Sequence, residues 1–282
     1  MIVVTGAAGQ LGTAFRRLLG NSARFLSRTD LDLSNPGSIR PVLERLRPTT
    51  LINCAAYTAV DRAESESDVA EAINTTAVGI MAAVTRDIGT QFATFSTDYV
   101  FDGFASQPYV ESDAPNPINT YGRTKRQGEI AAVTANPEAL VIRTSWVLSG
   151  THRNFATTMI RLALQEQEEI TVAEDQHGHP TLANDLAAST LSALNARATG
   201  ILHLTNTGVT SWYGLAQEIV ELAGLTGDRI RPCTSEEYPT PATRPANSVI
   251  RSERLNELGL DPLPSYRSGL QDAVSEILAR LP

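Results

Sequence analysis

The chain has 282 residues, 42% of them hydrophobic and 19% charged, with 31 acidic against 23 basic side chains and a formal net charge of −8. That length suits one large α/β domain, or one domain with a smaller appendage, and buries a sizeable core unaided. The acidic balance disfavours nonspecific nucleic-acid binding; two distant cysteines, Cys54 and Cys233, argue against a disulfide scaffold or zinc module; and no stretch approaches the roughly 18 apolar residues of a membrane span. With no basic leader at the start, a cytoplasmic location is expected.

Short β-branched runs at 2–5, 24–27, 50–54, 92–96, 140–144 and 201–205, with another at 170–173, alternate with segments of helical period at 10–20, 36–46, 67–87, 120–134, 154–165, 182–195 and 211–223. This alternation predicts an α/β fold: a Rossmann-type doubly wound parallel sheet with helices on both faces. Periodicity weakens after about residue 145. Residues 1–145 are therefore expected to form mainly the nucleotide-binding part, with 183–210 returning to it, and 146–182 and 211–282 a smaller C-terminal region. The stretch 231–247 carries Pro232, Pro239, Pro241 and Pro245; its Tyr238 and Arg244 favour an ordered lid over a flexible linker.

The first strand runs into Gly6-Ala7-Ala8-Gly9-Gln10-Leu11-Gly12 and then a helix. Glycines there permit positive φ, let a pyrophosphate approach the backbone and allow tight helix–strand packing, so a dinucleotide site is the natural reading. The spacing is GxxGxxG rather than GxGxxG, and its placement between strand and helix lends it weight. The second strand ends in Phe25-Leu26-Ser27-Arg28, with no carboxylate to hold the ribose of NAD. Ser27 and Arg28 suit the 2′-phosphate of NADP, which favours NADPH and leaves NADH open; Arg28 also reads as a solvated strand-end arginine. Asp32 and Leu33 follow as adenine-side candidates, with a turn ahead of Ser34-Asn35-Pro36 as the plainer role for Asp32.

Tyr121 and Lys125 stand four apart near the start of a predicted helix and project from one face. A nearby ammonium favours a phenolate, so the pair can form an acid–base unit. Of 23 basic residues, 22 are arginine; Lys125 is the single lysine. Arginine's planar fork does not replace a compact ammonium.

The glycine-rich first turn, the Tyr121/Lys125 pair about 110 residues later, and Thr97 after a sheet strand resemble the extended short-chain dehydrogenase/reductase superfamily. Within it, six segments together resemble the dTDP-4-dehydrorhamnose reductase family over nearly the whole chain: Asn53 to Asp61, Ser96-Thr97-Asp98-Tyr99-Val100-Phe101-Asp102-Gly103, Tyr121 to Lys125, Arg143-Thr144-Ser145-Trp146-Val147, Asp175 to Thr181, and Arg244-Pro245-Ala246-Asn247-Ser248. The resemblance implies NAD(P)H-dependent reduction of the C4 ketone of a dTDP-sugar. Tyr121, Lys125 and Thr97 would be catalytic. Gly9, Gln10 and Leu11 would meet the pyrophosphate, Asp32 and Leu33 the adenosine, and Ala55, Ala56 and Tyr57 the length of the cofactor. Thr97, Asp98 and Trp146 would meet the sugar, and the C-terminal region would bind substrate. Arg244 is a candidate for the substrate diphosphate and equally a structural cap. The resemblance allows magnesium, without assignable ligands, and a homodimer. His177 and His179 lack further ligands at metal spacing and read as loop residues.

Cys54, Leu148, His177, His179 and Leu182 depart from the family pattern, and Leu148 and Leu182 are expected near the substrate side. A noncatalytic NADP-binding regulatory subunit and a ketoreductase of another nucleotide deoxysugar are the competing functions; the intact Thr97, Tyr121 and Lys125 favour an enzyme.

Overall fold

The computed structural model describes residues 1–165 and 169–281. Six strands make the central sheet: β1 (Ile2–Thr5), β2 (Ala23–Leu26), β3 (Thr50–Asn53), β4 (Gln91–Thr97), β5 (Leu140–Thr144) and a last strand, Gly200–His203. Their spatial order is β2, β1, β3, β4, β5 and the last strand, and every neighbour pair is parallel, with Ile2 opposite both Ala23 and Thr50. Side chains alternate across a strand, so the adjacent pairs Val3/Val4, Leu51/Ile52 and Val141/Ile142 divide between opposite faces. Val4, Ile52 and Ile142 join Phe15 and Leu186 on one side; Val3, Leu51 and Val141 join Leu43 and Met81 on the other. Burial of both faces is why these strands read as unbroken apolar runs.

The connection from β1 moves outward to β2, and the next returns past β1 to β3. The direction of winding reverses there, leaving a crevice at the carboxyl ends of β1 and β3, where ligands of such sheets bind. The glycine-rich turn and the segment Cys54 to Tyr57 flank it.

The chain leaves the sheet after Thr144 and returns with the helix Ala183–Asn195 and the last strand. Between and beyond, the helices Phe155–Leu164, Trp212–Leu222 and Tyr266–Leu278 bury Ile160, Leu215, Ile219, Leu270 and Val274 with Trp146 and Leu148 in a second core. The strand Ile170–Ala173 pairs with Ile230–Cys233, outside the main sheet. Leu148 and Leu182 sit on paired two-residue strands and are 2% and 6% exposed. They are core residues, buried in the same cluster as Trp146.

The longest elements beyond the sequence reading are the strand Ile230–Cys233 and the helix Tyr266–Leu278, although Tyr266, Leu270, Ala273, Val274 and Ile277 recur at helical spacing. The helical run at 67–87 is continuous but widens into a π-helical turn at Ala72–Thr76. The proline-bearing stretch is tied down: the Ser235 backbone N–H and hydroxyl each donate to Asp175 at 2.8 Å, and the Ala246 carbonyl accepts from the His177 N–H at 2.8 Å. Among the described residues no helix is long and apolar enough to cross a membrane.

The helix Thr120–Ala135 packs on the π-helical turn so closely that a Cβ on Gly128 would run into the Asn74 carbonyl oxygen. Gly128→Ala, favourable for an isolated helix, should therefore destabilise the protein by about 1–3 kcal/mol through overpacking. Thermal unfolding checks this; a Tm at or above the wild type would mean that the helix shifts freely.

Candidate active site

Backbone approach builds the cofactor half of the site. Gly6 has φ +64°, and a Cβ there would lie 2.6 Å from the Ala55 nitrogen and 2.8 Å from the Cys54 carbonyl oxygen. One on Gly12 would collide with the Gly6 carbonyl oxygen. The turn thus folds against the end of β3 and brings in the helix Gln10–Leu19. Gly9 caps that helix without a side-chain acceptor, so backbone N–H groups at its first turn are available to an anion, reinforced by the helix dipole. This is the seat a pyrophosphate needs. Cys54 lies beneath, its thiol pushed well up by burial.

The Gln10 side chain has other duties. Its amide nitrogen donates to the Val147 carbonyl at 3.0 Å, and its oxygen accepts from Ser149 and Asn154 at 2.9 and 2.8 Å. Gln10 ties the glycine turn to the chain leaving β5, which leaves its backbone for a phosphate. Leu11 is buried in the core, and so is Leu33 at 4% exposed.

At the end of β2, Ser27 is held by Asp30, whose carboxylate accepts from its N–H at 2.8 Å and its hydroxyl at 2.7 Å. Asp30 escaped the sequence reading because it stands in the turn beyond the strand. Arg28 is three-quarters exposed, with an ion-pair distance of 3.4 Å to Asp32, which itself accepts from the Ser34 N–H and hydroxyl. After β3, Ala55 donates to Asn53, and Tyr57 is anchored twice: its N–H donates to Asn74 at 2.9 Å and its hydroxyl to Glu66 at 2.6 Å. Asn74, in the π-helical turn, also donates to the Tyr57 carbonyl and the Thr124 hydroxyl, joining the crevice wall to the next helix. Nothing in its local sequence marked it.

The reactive half lies at the end of β4. The Thr97 hydroxyl accepts from the Tyr99 N–H at 3.1 Å and donates to Asp98 Oδ1 at 2.9 Å. Asp98 is 2% exposed; its Oδ2 has no hydrogen-bond partner among the described residues, and burial pushes its carboxyl up to about 6. Asn119 caps the helix Thr120–Ala135 by accepting from the Gly122 N–H at 2.7 Å. Gly122 meets the Tyr99 carbonyl without a side chain between them. Tyr121 is thereby set edge-on to Tyr99, with ring centroids 6.0 Å apart, and within hydrogen-bonding reach of Thr97. Lys125, one turn on, donates to the Phe95 carbonyl at 2.6 Å. An ammonium has three donors, so two remain for ribose hydroxyls. Thr97, Tyr121 and Lys125 thus all lie around the end of β4.

The electrostatics differ from the expectation. Burial raises the Tyr121 phenol well above its ordinary value, opposed by hydrogen bonding with Thr97, instead of its being depressed by Lys125. Desolvation is the largest effect, and the phenol keeps its proton at neutral pH.

Trp146, at φ +42°, stacks on Trp212 with centroids 3.6 Å apart and is pressed by Gly178. It is 9% exposed, and its Nε1 has no partner among the described residues. The sequence reading missed Trp212. Arg244 is bound to both oxygens of Asp61 and to the Ala242 carbonyl, so its structural role is the one the geometry displays. The His177 N–H donates to the Ala246 carbonyl, and the His179 Nδ1 lies 2.8 Å from the Gly208 carbonyl.

The family profile described as RmlD substrate binding domain matches residues 1–279. A dTDP-4-dehydrorhamnose reductase of Burkholderia thailandensis is 40% identical over 297 residues, covering 99% of each chain. The chain belongs to the dTDP-4-dehydrorhamnose reductase family. Members are NAD(P)-dependent oxidoreductases on the Rossmann-type scaffold described above. A probable dTDP-4,6-dihydroxy-2-methyloxan-3-one 4-ketoreductase of Streptomyces antibioticus is 42% identical, covering 98% of this chain and 95% of that one. Among solved structures, the dTDP-4-dehydrorhamnose reductase of Bacillus anthracis in complex with NADP superposes with a TM-score of 0.91 at 33% identity, covering 99% of both chains.

The turn at Gly6–Gly12 and the uncapped helix beyond it fit the dinucleotide that this family uses. Magnesium fares differently. Among the described residues no three histidine, cysteine, aspartate or glutamate side chains converge as a ligand set.

The Arg244–Asp61 pair gives a pH signature. Hydrogen bonding from Arg244 holds the Asp61 carboxyl below its usual range against the opposing effect of burial. A carboxyl depressed by folding contributes stability above its ordinary value, about 3.9, and loses it as pH falls through the folded value. Asp61→Asn should accordingly flatten the acid limb of stability: between about pH 5 and 3 the wild type should lose stability more steeply. Urea unfolding across that range tests this, and parallel curves would assign the pair no net contribution.

Proposed function

We propose that this chain reduces the C4 ketone of dTDP-4-dehydro-β-L-rhamnose to dTDP-β-L-rhamnose, with NADPH as the preferred reductant and Tyr121 as the proton donor. The observation that carries this reading is the meeting of Thr97, Tyr121 and Lys125 at the end of β4, beside the crevice flanked by the glycine turn.

When bound, the nicotinamide supplies the hydride. The chain's own residues supply everything else. Tyr121, kept protonated by burial, delivers its proton to the carbonyl oxygen as negative charge builds there. Thr97 holds that oxygen or the phenol through its hydroxyl, and aligned donors in a water-poor site act more strongly than in solution. Lys125 stabilises the phenolate left behind and presents its two free donors to the ribose. Gly6, Gly9, Gln10, Leu11 and Gly12 hold the pyrophosphate through their backbone; Asp32 and Leu33 border the adenosine; Ala55, Ala56 and Tyr57 form the wall alongside. Asp98 Oδ2 and Trp146 Nε1, buried and without partners among the described residues, fit sugar hydroxyls. In this reading residues 146–182 and 211–282 form the substrate-binding region, supported by the second core that carries Trp146 and Trp212, with Arg244 securing it through Asp61.

A second reading, a ketoreductase of a different dTDP-deoxysugar, is favoured by the 42% identity to the Streptomyces antibioticus protein. Product identification separates the two. Tyr121→Phe should lower turnover by about 100-fold or more, in line with loss of a general acid, while leaving NADPH binding near wild type. Wild-type turnover in that variant would remove Tyr121 from the mechanism.

For the cofactor, the exposed Arg28 guanidinium supports the 2′-phosphate, whereas the Asp30 carboxylate at Ser27 supports a ribose hydroxyl. Arg28→Ala should raise the Kd for NADPH several-fold and leave that for NADH nearly unchanged, because only NADPH offers an anion there. Fluorescence titration decides, and equal losses would refute the assignment.

A further inference from the structure

The interior holds a charged cluster that the chemistry above leaves unused. Glu129 lies one turn beyond Lys125 on the same helix and is 1% exposed. Its Oε1 accepts from the Ser96 hydroxyl at 2.6 Å and from Arg143 Nε at 2.8 Å; its Oε2 accepts from Arg143 Nη2 and Arg126 Nη1, both at 2.8 Å. Arg143, on β5, is also 1% exposed. Its guanidinium carbon stands 5.1 Å from the Phe101 ring centre, and its Nη1 faces His203 Nε2 at 3.3 Å. His203 Nδ1 lies 3.1 Å from the Arg251 carbonyl, which assigns the proton to Nδ1 and leaves Nε2 to accept from Arg143. Burial pushes His203 down to about 4, so it is neutral at physiological pH. Behind it, Glu111 accepts from the His203 N–H at 2.8 Å.

A buried carboxylate between guanidiniums is a weak source of stability compared with apolar packing, so its position calls for another use. Ser96 precedes Thr97, and Phe95, whose carbonyl holds the Lys125 ammonium, precedes Ser96. The carboxylate therefore grips the strand end that carries Thr97 and places an anion one turn from the ammonium.

We propose that Glu129 is a positioning residue for the reaction: its carboxylate keeps Lys125 charged and seated on the Phe95 carbonyl, with Arg126 and Arg143 setting how much of that negative charge Lys125 feels. The proposal rests on the catalytic role assigned to Lys125. The groups on this pair are Arg126 from its own helix, Ser96 and the Phe95 carbonyl from β4, and Arg143 from β5, which in turn meets His203, backed by Glu111, from the last strand; Tyr121 stands one turn before Lys125 on the same helix. Desolvation pulls Lys125 down to about 8, and Glu129 opposes it. A lysine is charged below its pKa, so Lys125 loses its charge as pH rises through about 8.

The single lysine makes this directly measurable. In the full chain without added lysines, grown with 13Cε-labelled lysine, one side-chain signal reports the titration of Lys125 between about pH 6 and 10. Glu129→Gln removes the anion and should lower the midpoint by about one pH unit or more; Arg126→Gln, which removes a competing cation at a part-exposed position, should raise it; Glu129→Asp should stay near the wild type. Opposite movement in the two neutral variants is not produced by structural loosening. A midpoint unchanged in either folded variant, or moving the same way in both, overturns the proposal. If Glu129→Gln does not fold, Arg126→Gln decides alone. The alkaline limb of turnover should follow the same shifts. If the wild type binds NADPH but turns over no dTDP-4-ketosugar, the proposed function fails while the titration still judges Glu129.

Discussion

At Gly122 and Gly128 the helix Thr120–Ala135 has no side chain between its backbone and the carbonyls of Tyr99 and Asn74, and that closeness sets the whole reactive site. It lets Tyr121 reach Thr97 and Lys125 reach the Phe95 carbonyl, both at the end of β4. The π-helical turn at Ala72–Thr76 is shaped to receive the helix, and Asn74 spans the gap from Tyr57 to Thr124. A widened helical turn of this kind is common near functional sites because it redirects one side chain without ending the helix.

The second constraint is how the two cores are joined over the crevice. Among the described residues, side chains that make the connection from the sheet side include Gln10 to the strand Val147–Leu148 and its following turn, Asn119 to the Thr243 carbonyl, and Asp61 to Arg244. Each holds an element of the cofactor side to a segment carrying substrate-side candidates. Gln10 belongs to the glycine turn, Asn119 caps the helix of Tyr121, and Asp61 follows the wall formed by Ala55 to Tyr57. Contact at one half of the crevice is thereby coupled to the placement of the other.

Much of the site was legible because its chemistry is carried by local spacing. Glycines between a strand and a helix, and a tyrosine and lysine four apart on a helix, mean nearly the same thing in any context. Two further kinds of residue were legible only in part. Arg244 reads equally as a phosphate ligand or a cap until its partner is seen, since Asp61 lies 183 residues away. Leu148 and Leu182 lie beside Trp146 and the segment Asp175 to Thr181 in sequence, and only the packing shows that they join Trp146 in the second core. Asn74, Asp30 and Trp212 carried no signal, because their partners come from other elements.

By itself the sequence determined the alternation of strands and helices, the dinucleotide turn and the family, since each depends on residues close together in the chain or on their order along it. The tertiary structure alone decided which charges meet and what burial does to them. Tyr121 rises where a neighbouring ammonium was expected to lower it, and Glu129 and Arg143 meet out of water. Desolvation depends on everything packed around a group, and no stretch of sequence contains that shell.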